Sequence, residues 1–172
     1  MQFRRARFSK SAMFSGALIR GKKLVQTRFQ DEANFSDACF KGPAYFKGVC
    51  FEQKAIFDRI HIESSGFFDC DTVGDRQIDH KLHEVEEIKI ERTAHALLCP
   101  EYNGKVSFAG ARTDNSLTFS GARFKENADF RRLQVAGTAI FDPYTTDDRT
   151  EDKNIFEPVV FCDVANFWNS EI

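Results

Sequence analysis

Between Ala33 and Phe68 the chain reads ANFSDACFKGPAYFKGVCFEQKAIFDRIHIESSGFF, and phenylalanine returns at 35, 40, 46, 51, 57 and 68. The steps alternate between five and six residues and close an eleven-residue period. A helix repeats its buried face about every 3.6 residues and an open strand about every 2, so neither element produces this rhythm. A short period held over many turns belongs to a solenoid, in which each unit is too small to bury its own apolar face and relies on the units stacked on either side. Composition agrees: 19 Phe stand against 1 Trp and 3 Tyr, as though one structural position were filled repeatedly by one side chain.

The period extends both ways, through Phe3, Phe8, Phe14, Ile19, Leu24 and Phe29 before this stretch and through Ile62, Phe68 and Val73 at its end. Two residues before most of these stands a small or β-branched residue: Ala6, Ala12, Ala17, Thr27, Ala33, Ala38, Ala44, Val49, Ala55 and Gly66. In extended backbone, residues i and i−2 face the same way, so each unit turns one small and one large apolar side chain inward. Leu24 and Val73 fit less well, because Lys22 and Asp71 fall in the small-residue slot. A turn follows each large residue, with Gly second in several of them: Gly16, Gly42, Gly48, Gly110, Gly121 and Gly137. Glycine there suits a backbone that needs positive φ.

From Thr72 to about Tyr102 the rhythm stops. Ile78, Leu82 and Val85 fall at helical spacing, and Ala94, Leu97 and Leu98 form a second cluster before Cys99-Pro100 breaks the run. This predicts a helix-containing insertion; alternatively Leu97 and Tyr102 already lead back by steps of five and six into Phe108. The register then resumes as Phe108, Thr113, Phe119, Phe124, Phe130, Val135 and Phe141, with polar Thr113 in a core slot. A polar run from Pro143 to Asn154 reads as an excursion loop, and Phe156, Phe161, Phe167 and Ile172 finish the series. The expected organisation is a single solenoid over 1–172: a first repeat block 1–73, an insertion 74–101, a second block 102–141, a loop 142–155 and final repeats 156–172. Its predicted core columns hold Phe35, Phe40, Phe46, Phe51, Phe57, Phe108, Phe119, Phe124, Phe130, Phe141, Phe161 and Phe167.

The units ANF, ACF, AYF, VCF and AIF, followed in the second half by ARF, ADF and AIF, resemble those of the pentapeptide-repeat proteins, in particular a phenylalanine-rich branch with alternating five- and six-residue steps. The resemblance implies an all-β solenoid, a right-handed quadrilateral β-helix with four short faces per coil, here carrying one helix-containing insertion. Small residues and Phe would line its interior, and neighbouring coils would pair as parallel strands. Stacking at about 4.8 Å would bury Phe on Phe in continuous columns, each contributing on the order of 1.5–3 kcal/mol.

Motifs that carry chemistry are sparse. His80, His83, Glu84 and Glu87 sit in DHKLHEVEE, where a helix would bring two ligands to one side, but a solvated helix face explains them as well. His95 and Cys99 are four apart with no orienting group or oxyanion donor nearby. The five cysteines, at 39, 50, 70, 99 and 162, lack the paired CxxC spacing of a zinc site and are expected as reduced thiols. No phosphate-binding glycine loop or nucleophile elbow is present. Catalytic residues, cofactors and metals are therefore expected to be none.

Charge says more. A net charge of −2 gives no overall pull toward nucleic acid or an anionic membrane, and the apolar runs are too short to span a bilayer. Arg4, Arg5, Arg7, Lys10, Arg20, Lys22, Lys23 and Arg28 make the start basic, while Asp142, Asp147, Asp148, Glu151, Asp152, Glu157, Asp163 and Glu171 dominate the end. In a linear solenoid that becomes a basic end and an acidic end. The opening residues lack the pattern of a secretory signal, which leads to an expected cytoplasmic location.

The expected function is a non-catalytic protein-protein interaction scaffold, with Leu82, Val85, Trp168 and Ile172 as candidate interaction residues and an unidentified protein as partner. A terminal coil offers unpaired backbone groups, so a homodimer through the C-terminal coil is also expected. The rival reading is a DNA-mimicking protector or inhibitor of DNA gyrase or another type II topoisomerase, as the resemblance suggests, although such a mimic needs a strongly negative surface. A metal-dependent enzyme using the insertion is the remote alternative.

Overall fold

The computed structural model describes residues 1–15, 17–19, 23–71, 98–145 and 156–172. The helix expected within the insertion, together with Leu82 and Val85, lies outside these residues. Two eleven-residue periods make one coil, so residues 22 apart lie side by side on successive coils.

Four parallel five-stranded sheets form the sides. The first face stacks Ala33–Asn34, Ala55–Ile56, Val106–Ser107, Ala128–Asp129 and Ala165–Asn166. The second stacks Arg7–Phe8, Cys39–Phe40, His61–Ile62, Arg112–Thr113 and Gln134–Val135. The third carries Ala12–Met13, Ala44–Tyr45, Gly66–Phe67, Leu117–Thr118 and Ala139–Ile140. The fourth carries Arg28–Phe29, Cys50–Phe51, Glu101–Tyr102, Arg123–Phe124 and Val160–Phe161. Strands of two residues survive because their amides are answered by neighbouring coils: the Phe35 N–H donates to the Ile56 carbonyl and the Phe57 N–H to the Ser107 carbonyl of the next coil, both at 2.7 Å, while the Cys39 N–H donates to the Ala6 carbonyl of the previous coil at 2.9 Å. The chain is a right-handed quadrilateral β-helix.

Inside, the large residues stack in columns. Phe3, Phe35, Phe57, Phe108, Phe130 and Phe167 follow one another on the first face with ring centroids 4.6–5.5 Å apart. Phe14, Phe46, Phe68, Phe119 and Phe141 do the same on the third. The two columns meet edge to face, as in Phe35–Phe46 at 5.2 Å, so each ring has stacked partners along the axis and T-shaped partners across it. The second-face column narrows from Phe8 and Phe40 through Ile62 to Thr113 and Val135; Thr113 is buried, and its hydroxyl donates to the Asn115 carbonyl at 3.0 Å. Phe141, Phe161 and Phe167, on the last coils, are only partly buried, as are Phe3, Phe8 and Phe14 on the first.

Several sequence expectations are corrected. Ile19 and Leu24 do not belong to the ladders: Ala17–Ile19 and Lys23–Val25 form an antiparallel hairpin, and the parallel stack resumes at Arg28. Continuing the five-residue steps would have put the Lys22 ammonium in an inward slot, at a high desolvation cost. Phe156 likewise pairs with Thr145 in an antiparallel ribbon, and the ladder restarts at Val160. At the insertion it restarts at Glu101, so the route through Tyr102 into Phe108 is the one followed. The turn glycines divide by cause. Gly48 and Gly121 do adopt φ of 62° and 70°, whereas a Cβ on Gly42 would stand 2.7 Å from the Ser11 nitrogen, a close approach of neighbouring coils.

Candidate functional site

The chain passes from the third face to the fourth in one of two ways. In the second coil a tight turn does it, Phe46-Lys47-Gly48-Val49, and in the fourth coil Phe119-Ser120-Gly121-Ala122 repeats that turn. In the first, third and fifth coils the chain leaves at this same corner, over residues 17–26, 71–99 and 144–158, before returning to the fourth face at Arg28, Glu101 and Val160. All three departures thus occupy one edge of the solenoid, on alternate coils. Coils about 4.8 Å apart give alternate coils a pitch of about 10 Å, which is room for an excursion two chains wide.

Each excursion starts as an antiparallel pair of legs. In the first these are Ala17–Ile19 and Lys23–Val25, and in the last Tyr144–Thr145 and Phe156–Glu157. In the middle one, Asp71 and Leu98 exchange backbone hydrogen bonds of 2.7 and 3.1 Å. Just below them Cys70 and Cys99 form a disulfide, Cα–Cα 4.0 Å. Reduced thiols were expected throughout. The base of the excursion overturns this for one pair by bringing together two cysteines separated by 29 positions. Cys39, Cys50 and Cys162 remain free, and burial pushes the Cys50 thiol up to about 11.

The feet of the first and middle excursions also meet. Gln26 Nε2, on the returning leg of the first, donates to the Cys99 carbonyl on the third coil at 3.3 Å. Between them, a Cβ on Gly48 would stand 2.9 Å from Leu98 Cβ, so this turn is roofed by the middle excursion and has no space for a side chain. The Thr27 hydroxyl donates to the Ser15 carbonyl at 3.1 Å and closes the first base.

Away from this edge the outer surface carries ion pairs and charged hydrogen bonds, some between coils and some within one. Arg59 holds Asp37 with Nε 2.7 Å from Oδ1 and lowers its carboxyl pKa. His61 Nε2 lies 3.0 Å from Asp114 Oδ2, and this hydrogen bond leads the causes that lower the Asp114 pKa. Arg131 does the same for Asp129. Glu52 is lowered chiefly by the Asn103 amide at 2.7 Å and also pairs with Arg28. The charge asymmetry becomes spatial among the described residues, with Arg4, Arg5, Arg7 and Lys10 on the first coil and Asp163 and Glu171 on the last.

Of the candidate interaction residues, Trp168 and Ile172 sit on the last coil, 65% and 62% exposed, with Val164 beside them in sequence at 63%. The Arg132 guanidinium lies 6.0 Å from the centre of the Trp168 ring. Leu82 and Val85 lie outside the described residues, as do His80, His83, Glu84, Glu87 and His95. Cys99 is engaged in the disulfide and is no nucleophile in this form. Sequence reasoning missed that the breaks share an edge. The signal was present, because all three breaks follow the phenylalanine of one face: Phe14, Phe68 and Phe141.

Four parallel ladders, single-file aromatic columns and a fixed coil length define the class: a repeat protein with a solenoid core and no helix among the described residues. A family model described as pentapeptide repeats (9 copies) matches residues 3–50. This match supports the resemblance to pentapeptide-repeat proteins drawn from the sequence. Such proteins generally serve as structural or interaction scaffolds. No curated protein and no solved structure matches the chain. No helix among the described residues is long and apolar enough to cross a membrane.

Proposed function

We propose that the protein is a non-catalytic interaction scaffold whose contact surface is the edge carrying the three excursions. The observation behind this reading is their common corner on alternate coils. A solenoid tolerates insertions at any of its corners, yet here the chain departs and returns at one corner on all three occasions, between Met13 and Arg28, Phe67 and Glu101, and Ile140 and Val160. A solenoid core with inserted segments along one side presents several contact points to a single partner at once. The gyrase-directed alternative is less well supported, since the net charge is only −2 and the first coil is basic.

The test joins Cys70 directly to Pro100, with Cys70→Gly to restore the tight turn of the second coil, and compares partners captured from the source cell. Loss of a partner held by the full chain supports the excursion edge; an unchanged set of partners refutes it. A supercoiling assay separates the alternative, because the scaffold reading expects gyrase activity to be unaffected. We also propose a homodimer through the last coil, motivated by exposed Trp168, Ile172 and Val164 beside the outermost strands. A monomeric mass by light scattering at micromolar concentration would remove that proposal.

A further inference from the structure

The second face brings together three metal-ligating side chains that the sequence keeps apart. Cys39 and His61 are register partners on adjacent strands of successive coils, and Glu63 follows two residues after His61 on the same coil. One ligand atom from each of the three lies within 4.8 Å of the other two. Cys39 Sγ is already 3.6 Å from Glu63 Oε1. Bonds of about 2.0–2.3 Å in a tetrahedral zinc site put ligand atoms about 3.3–3.8 Å apart, so one edge of the tetrahedron has its final length and small side-chain rotations supply the others. Cys39 and His61 are half-buried on a rigid ladder, while Glu63 is exposed and free to swing.

A second, independent feature supports the trio. His61 Nε2 is 3.0 Å from Asp114 Oδ2, and the other carboxylate oxygen of Asp114 accepts from Arg112 Nε at 3.0 Å. A carboxylate that receives the N–H of one ring nitrogen fixes the tautomer and leaves the lone pair on the other; zinc-bound histidines are commonly oriented this way. We propose that Cys39, His61 and Glu63 bind one Zn²⁺ ion, with Asp114 positioning the imidazole from behind. Thiolate, carboxylate and neutral imidazole carry two negative charges between them and neutralise the cation. On binding, the Cys39 sulfur–hydrogen bond is replaced by a sulfur–zinc bond, and the thiol proton passes to solvent. Three protein ligands leave the fourth position open to water or to a donor from a partner. Because Cys39 belongs to the second coil and His61 and Glu63 to the third, the ion ties two coils together across the solenoid's outer surface. This inference does not depend on the scaffold reading.

Co²⁺ serves as the probe, since a thiolate-to-Co²⁺ charge-transfer band reports sulfur ligation directly. The EDTA-treated full chain is expected to develop this band with one equivalent of Co²⁺ and to lose it on addition of Zn²⁺. Cys39→Ser should abolish the band, whereas Cys162→Ser, at the exposed free cysteine of the last coil, should keep it. His61→Gln and Glu63→Gln should each weaken Zn²⁺ affinity, measured against a chromophoric chelator, by about 10-fold or more, and Asp114→Asn by about 10-fold. Metal-free melting curves verify that every variant is folded, and Zn²⁺ should raise the melting temperature of the parent but not of Cys39→Ser. No band in the parent, a band that survives Cys39→Ser, or unchanged zinc affinity in His61→Gln and Glu63→Gln would each overturn the site. So would loss of the band on His80→Gln/His83→Gln, which would place the metal in the insertion instead.

Discussion

Tyr102 stands where a phenylalanine is expected, and its hydroxyl makes a sharp prediction. On the fourth face its ring stacks between Phe51 and Phe124, with centroids 5.3 and 4.7 Å away. The residue is fully buried, yet the hydroxyl has no hydrogen-bond partner among the described residues. Leaving a buried hydroxyl unsatisfied costs about 1–3 kcal/mol, and removing one oxygen forfeits only a few weak dispersion contacts, each about 0.1–0.2 kcal/mol. Tyr102→Phe should therefore stabilise the protein by about 1 kcal/mol, or about 2–4 °C in melting temperature for a chain of this size. The pH dependence supplies an independent readout. Burial raises the Tyr102 pKa well above its ordinary value of 10.0, so the folded chain holds this proton after the unfolded chain has released it. Below the unfolded pKa the group adds no pH dependence; above it, the unfolded state binds fewer protons, and stability falls by about 1.4 kcal/mol per pH unit until the folded pKa is reached. The difference between parent and Tyr102→Phe, from urea denaturation at pH 8 to 11, should isolate that slope. A destabilised variant, or parallel pH profiles, would show that the hydroxyl is satisfied and the argument mistaken.

Phe46→Ala should cost about 3–5 kcal/mol by chemical denaturation, because the ring is fully buried and stacked on Phe14 and Phe68. Tyr45→Ser should cost only about 0.5–1 kcal/mol, since Tyr45 faces outward and stacks on outward-facing Phe67 at 4.9 Å. Reduction of Cys70–Cys99 should lower the unfolding free energy by about 2–4 kcal/mol in the chain-entropy description, measured with and without reductant. Thiol trapping at harvest adds a test of location: an intact disulfide would mark an oxidising compartment and displace the cytoplasmic expectation. Arg131→Gln should return the Asp129 carboxyl toward the ordinary range in an NMR titration. The stability this lowered carboxyl contributes is present above its unfolded pKa and lost as pH falls through the folded one, so the acid limb should move up in pH in the variant.

The rod was legible because its signal is redundant. Phe35, Phe46, Phe57 and Phe68 state the period several times over, and the alanines two residues before many of the large residues state it again. Where a single residue carried the register, at Leu24 or Phe156, or only the short pair Ala17 and Ile19 did, an apolar side chain at the right spacing was also compatible with an antiparallel leg, and the antiparallel pairing prevailed. The candidate sites were less legible, for a reason built into the architecture. Coiling places residues 22 apart in contact, so Cys39 faces His61, and the feet of 17–26 and 71–99 touch through Gln26 and Cys99. A search for closely spaced ligands does not detect neighbours of that kind. The Cys70–Cys99 bond escaped notice similarly, because the antiparallel exit at Asp71 and Leu98 creates the proximity and the composition of the segment does not announce it.

The most direct test is hydrogen exchange on a chain from which residues 17–26, 71–99 and 144–158 have all been removed, each replaced by the tight turn of the second coil. If the excursions stand outside a self-sufficient core, the Phe35, Phe57 and Phe108 amides, which donate to Ile56, Ser107 and Asp129 on the following coils, will stay protected as in the full chain. Rapid exchange at those three amides in an otherwise soluble variant would mean that the excursions hold the coils together, and the separation of core from contact edge would be wrong.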